Sequence, residues 1–137
     1  MGDMTVRVVT PDKLIFEGTA SRIHVKGVEG QFIIMPRHLP MVSLLGLGEL
    51  RIDAPKGSGS RYIAIDEGVL EVSNNTITIL ANDAMAAEDV DVARIKMDLE
   101  RQERQKENIK NRDEMIRQEL EITKLMNKLR VGQRISK

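Results

Sequence analysis

Helix-breaking residues stop abruptly part-way along this chain. All four prolines and nine of the ten glycines lie at or before Gly68, and the next glycine is Gly132. The 63 residues between them hold no strong breaker, and the segment from Asp83 onward carries 25 of the 42 charged residues. A turn-rich, strand-like front is therefore joined to a charged, helix-favouring back. The expectation is two modules: residues 1–82 as a β body and residues 83–137 as a helical unit.

Short β-branched runs alternate with turn residues through the front module. Candidate strands are Thr5–Thr10, Leu14–Ala20, Arg22–Val25, Gln31–Met35, Met41–Leu45, Glu49–Ile52, Tyr62–Ile65, Val69–Val72 and Thr76–Leu80. Val6/Val8 and Ile77/Ile79 show the period-two pattern of a half-buried strand. Asn74-Asn75 suits a hairpin turn because Asn tolerates positive φ, and Lys56 to Ser60 reads as a loop. Nine short strands in about 80 residues point to an antiparallel β-sandwich or barrel with a modest core.

Pro36 and Pro40 bracket Arg37 and His38. Each proline fixes its own φ and biases the residue before it toward extended backbone. The result is a stiff corner. It reads either as a fixed contact surface or as a structured turn whose histidine satisfies local hydrogen bonds.

In the back module, Ala81 to Asp89 reads as a hinge, with Asn82-Asp83 ending the last strand. Glu88, Asp89 and Asp91 suit the positive end of a helix dipole. A first helix over Val90–Glu107 has a thin apolar stripe of Val92, Ile95 and Leu99. A second over Arg112–Val131 has a fuller one, with Met115, Ile116, Leu120, Ile122, Leu125, Met126 and Leu129. Asn108 and Asn111 mark a bend, although the same residues also suit one long helix. A thin seam makes a hairpin of the low-stability kind that opens. Asp91 and Arg94 at i and i+3 form an ordinary helix pair or a phosphate contact. Lys124, Lys128, Arg130 and Arg134 form either a solvated face or a face for an acidic groove.

Composition excludes several classes. Residues 1–82 have eight basic and nine acidic side chains and residues 83–137 thirteen and twelve, so the basic surplus of a nucleic-acid binder is absent. One Tyr, two Phe and no Trp offer no base-stacking platform. With no cysteine there is no disulfide or thiolate metal site. His24 and His38 leave little material for a metal centre or catalytic triad. No apolar run approaches a membrane span and Met1-Gly2-Asp3 is no signal peptide, so a soluble protein is expected.

Five stretches in order then resemble the epsilon subunit family of bacterial F-type ATP synthases. Val8 to Asp12 resembles the family's opening strand and turn. Glu29-Gly30 through Pro36-Arg37-His38-Leu39-Pro40 is similar to its Gly-Glu-Leu-Gly-Ile-Leu-Pro-Gly-His-x-Pro corner. Gly68 to Val72, followed by Thr76 to Ala81, resembles its Gly-Gly-x-Leu-Glu-Val and Val-Thr-Ile-Leu-Ala strands. Glu88 to Arg94 matches the start of its first C-terminal helix, and Leu125 to Val131 the end of its second.

The resemblance implies a non-catalytic rotor subunit, peripheral to the cytoplasmic face of the bacterial plasma membrane and held there through the complex. The β-sandwich is expected to pack on the gamma subunit and the c-ring through a surface including Gln31, Arg37 and His38. The helices are expected to switch between a folded hairpin and an extended form that enters the alpha/beta catalytic head and blocks hydrolysis. Met115, Ile122, Met126, Lys128 and Arg130 would make that inhibitory contact. Asp91, Arg94 and Arg101 fall on the family's nucleotide-binding positions, with Lys124 and Lys128 where nucleotide-binding members carry Arg. Ile95 replaces an Ala and Met85 a Glu, and Lys lacks the bidentate fork that Arg offers phosphate. ATP is thus expected only as a weak regulatory ligand, with no cofactor required. At the corner, Gln31, Ile33 and Arg37 replace the common Glu, Gly and Gly. On the residues alone, a β-sandwich adaptor with a partner-binding hairpin is the alternative, told apart by co-purification with a gamma-like coiled coil. A free hydrolase lacks a convergent nucleophile, base or metal cluster.

Overall fold

Alternation sets the first strand. In β1 (Met4–Val9), Met4, Val6 and Val8 are buried while Thr5 and Arg7 face solvent. The structure is a computed structural model and describes residues 3–135. The strands that follow are β2 (Leu14–Ala20), β3 (Arg22–Gly27), β4 (Gly30–Ile34), β5 (Met41–Leu45), β6 (Gly48–Asp53), β7 (Ser60–Ser73) and β8 (Thr76–Ala86). They form one continuous sheet in the order β2-β1-β8-β7-β5-β3-β4, with β6 bridging β3 and β7. Folded over itself as a β-sandwich, the sheet encloses a core that includes Ile23, Ile34, Leu50, Ile63, Leu70, Ile77 and Ile79. Phe16, Phe32 and Met41 pack against it from the rim. Burial of each such aliphatic side chain stabilises by about 1.5–3 kcal/mol, and aliphatics alone fill a core with almost no aromatics.

Eight strands replace the nine expected, because Tyr62–Ile65 and Val69–Val72 are two halves of β7. The first half pairs with β6 and the second with β5, so those two short strands lie end to end along one edge. Between the halves Glu67 takes a left-handed φ of 48°. Gly68 follows, and a Cβ there would lie 2.3 Å from the Leu80 carbonyl oxygen. Glycine is required by that close approach rather than by a chain reversal.

The strand expected to end at Asn82-Asp83 runs on to Ala86. Burial alternates as Ile77, Ile79 and Ala81, slips across exposed Asn82 and Asp83, and resumes at Ala84 and Ala86. The polar pair therefore marks a change of phase opposite Glu67, and the hinge expected over Ala81–Asp89 is mostly strand. A short 3-10 turn, Ala87–Asp89, follows it.

Helix α1 (Val92–Lys106) begins at Asp91, whose side chain caps it by accepting from the Arg94 N–H at 3.1 Å. Helix α2 (Arg112–Gly132) begins at Asn111, whose Oδ1 accepts from the N–H groups of Asp113 at 2.8 Å and Glu114 at 3.4 Å. The bend expected at Asn108–Asn111 is thus made by an N-cap that starts a new helix. The two helices form a hairpin rather than one long helix, joined also by Gln118 donating to Gln102. Val92, Ile95 and Leu99 are only half-buried, and α1 buries no residue completely.

Candidate functional site

Two surfaces stand out, one at the Pro36–Pro40 corner and one beneath α2. The corner joins β4 to β5. Arg37 sits at φ 66°, a left-handed conformation that glycine adopts most easily. The His38 N–H donates to the Met35 carbonyl at 3.2 Å, and its Nδ1 lies 2.7 Å from the Leu39 carbonyl oxygen. Asn75, in the β7–β8 turn, anchors the corner: its Oδ1 accepts from the Arg37 N–H at 2.8 Å while its Nδ2 donates to the Asp3 carbonyl at 2.9 Å. Asn74 and Asn75 lie at φ 51° and 59°, the backbone their side chains tolerate. The histidine satisfies local bonds, and the corner is also rigidly presented. Gln31, Arg37 and His38 are all exposed.

Beside the corner lies an apolar surface that the sequence reading passed over. Val28, Met35, Leu39, Val42 and Leu44 are each more than half exposed. Val28, Val42 and Leu44 line an open cleft of about 530 Å³ together with Gln31 and Phe32. The signal was available, because Met41-Val42-Ser43-Leu44-Leu45 is apolar on both faces of a strand. A solvated outer face alternates with polar residues instead. Grouped exposed apolar side chains of this kind mark a contact surface.

Beneath α2, Val131 packs into a small apolar cluster with Ala64, Ala87 and the half-buried Tyr62. The Asn127 side chain, fully enclosed, donates to the Gly48 carbonyl at 3.0 Å. Gly132 makes this fit possible, since a Cβ there would meet Val90 Cγ1 at 2.6 Å. Lys124 Nζ lies 3.2 Å from Asp66 Oδ2 and Lys128 Nζ 3.4 Å from Asp83 Oδ2. The Asp66 carboxylate, as hydrogen-bond acceptor and as charge, holds the Lys124 ammonium above its ordinary pKa. Arg134 donates twice to Glu49, at 2.8 and 3.0 Å, with its guanidinium 5.4 Å above the Tyr62 ring.

The residues expected to hold a nucleotide are dispersed into separate contacts. Asp91 caps α1 through the Arg94 backbone, and Arg101 pairs with Asp98 at 3.0 Å. Lys124 and Lys128 share a cavity of about 300 Å³ whose other charged lining is Asp66, Asp83 and Glu121, and Asp91, Arg94 and Arg101 do not line it. Met85, on β8, is half-buried. Of the residues expected to make an inhibitory contact, Ile122 is buried, Met115 half-buried, Met126 exposed and Lys128 paired to Asp83. Arg130 donates to Asn127 Oδ1 at 3.3 Å. Ile116 and Leu120, one turn apart, face solvent.

A separate polar hub lies on the sandwich, where Asp53 accepts from Ser60 at 2.7 Å and Arg51 at 2.9 Å, with His24 Nε2 at 3.1 Å. Burial works against its charge, but the bonds from Ser60, Arg51 and His24 prevail and hold its pKa below the usual value. Among the described residues no cluster of three or more metal-ligating side chains forms.

Comparison with known proteins decides the family. Residues 3–87 match the family described as ATP synthase, Delta/Epsilon chain, beta-sandwich domain. An ATP synthase epsilon chain of Halalkalibacterium halodurans is 37% identical over 135 residues, covering 98% of this chain and all of that relative. The chain belongs to the ATP synthase epsilon family. As an epsilon-family member it is a non-catalytic subunit of the synthase rather than an enzyme in itself. The fold recurs in the Euglena gracilis mitochondrial ATP synthase (OSCP/F1/c-ring), with TM-score 0.71 at 19% identity over 96% of this chain and 78% of that one. It recurs also in the central stalk/c-ring of the Tetrahymena thermophila mitochondrial enzyme, with TM-score 0.58 at 20% identity over 98% and 96%.

Proposed function

We propose that this chain is a central-stalk rotor subunit of a bacterial F-type ATP synthase, coupling the catalytic head to the membrane c-ring and restraining ATP hydrolysis through its C-terminal helices. The observation that carries the rotor reading is the full-length relationship to an ATP synthase epsilon chain. The sandwich docks on the gamma subunit and c-ring through the corner and the adjacent apolar surface. Val28, Val42 and Leu44 supply desolvation there, while Gln31, Arg37 and His38 supply polar contacts, with the Arg37 backbone anchored by Asn75. The protein is peripheral, on the cytoplasmic face of the plasma membrane, and reaches the membrane only through the complex. Among the described residues no helix is long and apolar enough to cross a membrane.

Regulation uses the hairpin. Its buried apolar cluster on the sandwich is small, and Ile116, Leu120 and Met126 remain exposed for a second surface. Leaving the sandwich and extending toward the alpha and beta subunits, α2 obstructs the catalytic head. ATP is at most a weak ligand of the folded hairpin, because the two lysines offered to phosphate already lie against Asp66 and Asp83.

Deletion of residues 90–137 tests the reading. A cut at 82 removes the β8 residues that pair with Ile63 and Ala64 of β7, whereas a cut after Asp89 leaves the sheet whole. The shortened chain should still assemble with gamma and the c-ring, and the assembled enzyme should hydrolyse ATP several-fold faster while retaining synthesis. An unchanged hydrolysis rate in an intact, coupled complex refutes the regulatory part, and loss of assembly by a folded 1–89 chain refutes the docking part.

A further inference from the structure

Among the described residues, three long cations of α2 and its C-terminal turn end on carboxylates of the sandwich. Lys124 and Lys128, one turn apart, reach Asp66 on β7 and Asp83 on β8. Arg134, just beyond the helix, takes Glu49 of β6 with both guanidinium donors. Beside these three pairs, the buried apolar cluster of the dock is small, Val131 with Ala64 and Ala87, and Asn127 adds a polar bond to Gly48. The pairs are partly open to solvent, with Asp83 and Arg134 more than half exposed and Asp66 and Glu49 about one-quarter or less. Pairs so placed are individually weak and are weakened further by salt. Together the three pairs are spread along α2 and its C-terminal turn, so their summed strength follows the ionic strength.

We infer that the docked hairpin is held by an ionic latch, in which Asp66, Asp83 and Glu49 occupy the cations of α2 and ionic strength sets how much of the chain is undocked. The inference deepens the proposed regulation and rests on the reading that the hairpin leaves its dock. It differs from a nucleotide-held hairpin in a simple respect. The anions that close it belong to the protein, so closure needs no added ligand and responds to salt instead.

The chain supplies its own reporter. Tyr62 is the only tyrosine and there is no tryptophan. Its ring lies under Arg134 and beside Val131, so it is uncovered when α2 departs. Tyrosine fluorescence with acrylamide, a neutral quencher, then measures docking in the full-length protein. Between about 0.1 M and about 1 M NaCl the screening length falls from about 10 Å to about 3 Å. Quenching of Tyr62 should rise across that range in the parent. The Asp66→Asn/Asp83→Asn double variant should already be more quenched at low salt, with the docked-to-undocked ratio lowered on the order of fivefold, and its salt response should be flattened. Exchanging the Lys124–Asp66 charges (Lys124→Asp with Asp66→Lys) should restore docking that Lys124→Asp alone loses. Quenching that is independent of salt in the parent, or docking unchanged in the double variant with circular dichroism preserved, overturns the latch. Hydrolysis by the assembled enzyme separates the two levels. If the variant undocks without any change in hydrolysis, the latch stands and the inhibitory role falls. If 90–137 deletion releases hydrolysis but Tyr62 is insensitive to salt, the role stands and the latch falls.

Discussion

Asn75 ties the β7–β8 turn to the corner and to the start of β1, through its side chain and its backbone. Its Oδ1 holds the Arg37 N–H, its Nδ2 holds the Asp3 carbonyl, and its own carbonyl accepts from the Thr5 N–H at 3.1 Å. Two substitutions separate its roles. Asn75→Gly keeps the left-handed backbone but removes both side-chain bonds, each worth about 0.5–1.5 kcal/mol net. The expected loss is about 1–2 kcal/mol, since the site is near the surface. Asn75→Ala removes the same bonds and adds the left-handed penalty of a Cβ, about 1 kcal/mol, for about 2–3 kcal/mol in all. Urea unfolding of the full chain measures both. Amide exchange at Arg37 should quicken in either variant, because its acceptor is gone. Equal stability of parent and Asn75→Gly, with Arg37 protection retained, would refute the bridging role. Equal losses in the two variants would instead refute the backbone term.

Three further outcomes can be checked directly. Gly132→Ala places a Cβ 2.6 Å from Val90 Cγ1, so Val90 or the end of α2 must shift; overpacking of this kind costs about 1–3 kcal/mol, and Tyr62 should become more accessible to acrylamide while the sandwich stays folded. Asp53 has a depressed pKa in the folded state, so its contribution is present above the unfolded value near 4 and disappears as pH falls through the lower folded value; the stability gap between parent and Asp53→Asn, measured by urea unfolding across pH, should be full at pH 6 and shrink as the pH is taken below the unfolded value. Calorimetry with ATP and magnesium should show weak or no binding, and micromolar binding abolished by Arg94→Ala would refute the dispersed placement of the nucleotide residues.

What was legible in the sequence was local. Asn74-Asn75 declared a turn because both residues tolerate positive φ, and Asn108 and Asn111 suggested a bend, where the Asn111 side chain in fact caps α2. The thin stripe of Val92, Ile95 and Leu99 foretold a first helix with nothing fully buried. Misreadings arose where a local signal had a tertiary cause. Glu67-Gly68 resembled a break between strands, yet the glycine is there because the Leu80 carbonyl passes so close. Asn82-Asp83 resembled a strand end, yet the ladder with β7 pairs Asp66 with Asp83 and continues to Ala86. The partners of Lys124, Lys128 and Arg134 lie on strands remote in sequence, and no periodicity in α2 announces them. Val42 and Leu44 were the one missed feature that a strand-face reading alone would have found.

The geometry also explains why α2, rather than the hairpin as a whole, is the element to perturb. α1 buries no residue and packs along α2 through half-buried side chains. α2 supplies Ile122, Asn127, Val131 and Gly132 as buried residues, three of the four in its last two turns. The hairpin is thus fastened near its C-terminal end, where Asn127, Val131, Gly132 and Arg134 all meet the sandwich or the turn before α1. An attachment of this form opens by loss of a few contacts at one place, with little change in the rest of either helix. The exposed Ile116 and Leu120 lie toward the opposite end of α2, so a second surface can engage them before the dock is released. Within the proposed function, that arrangement lets the catalytic head compete for α2 without first unfolding it, and substitutions at Gly132 or Asp66 should act on the competition while those at Ile116 or Leu120 act on its alternative.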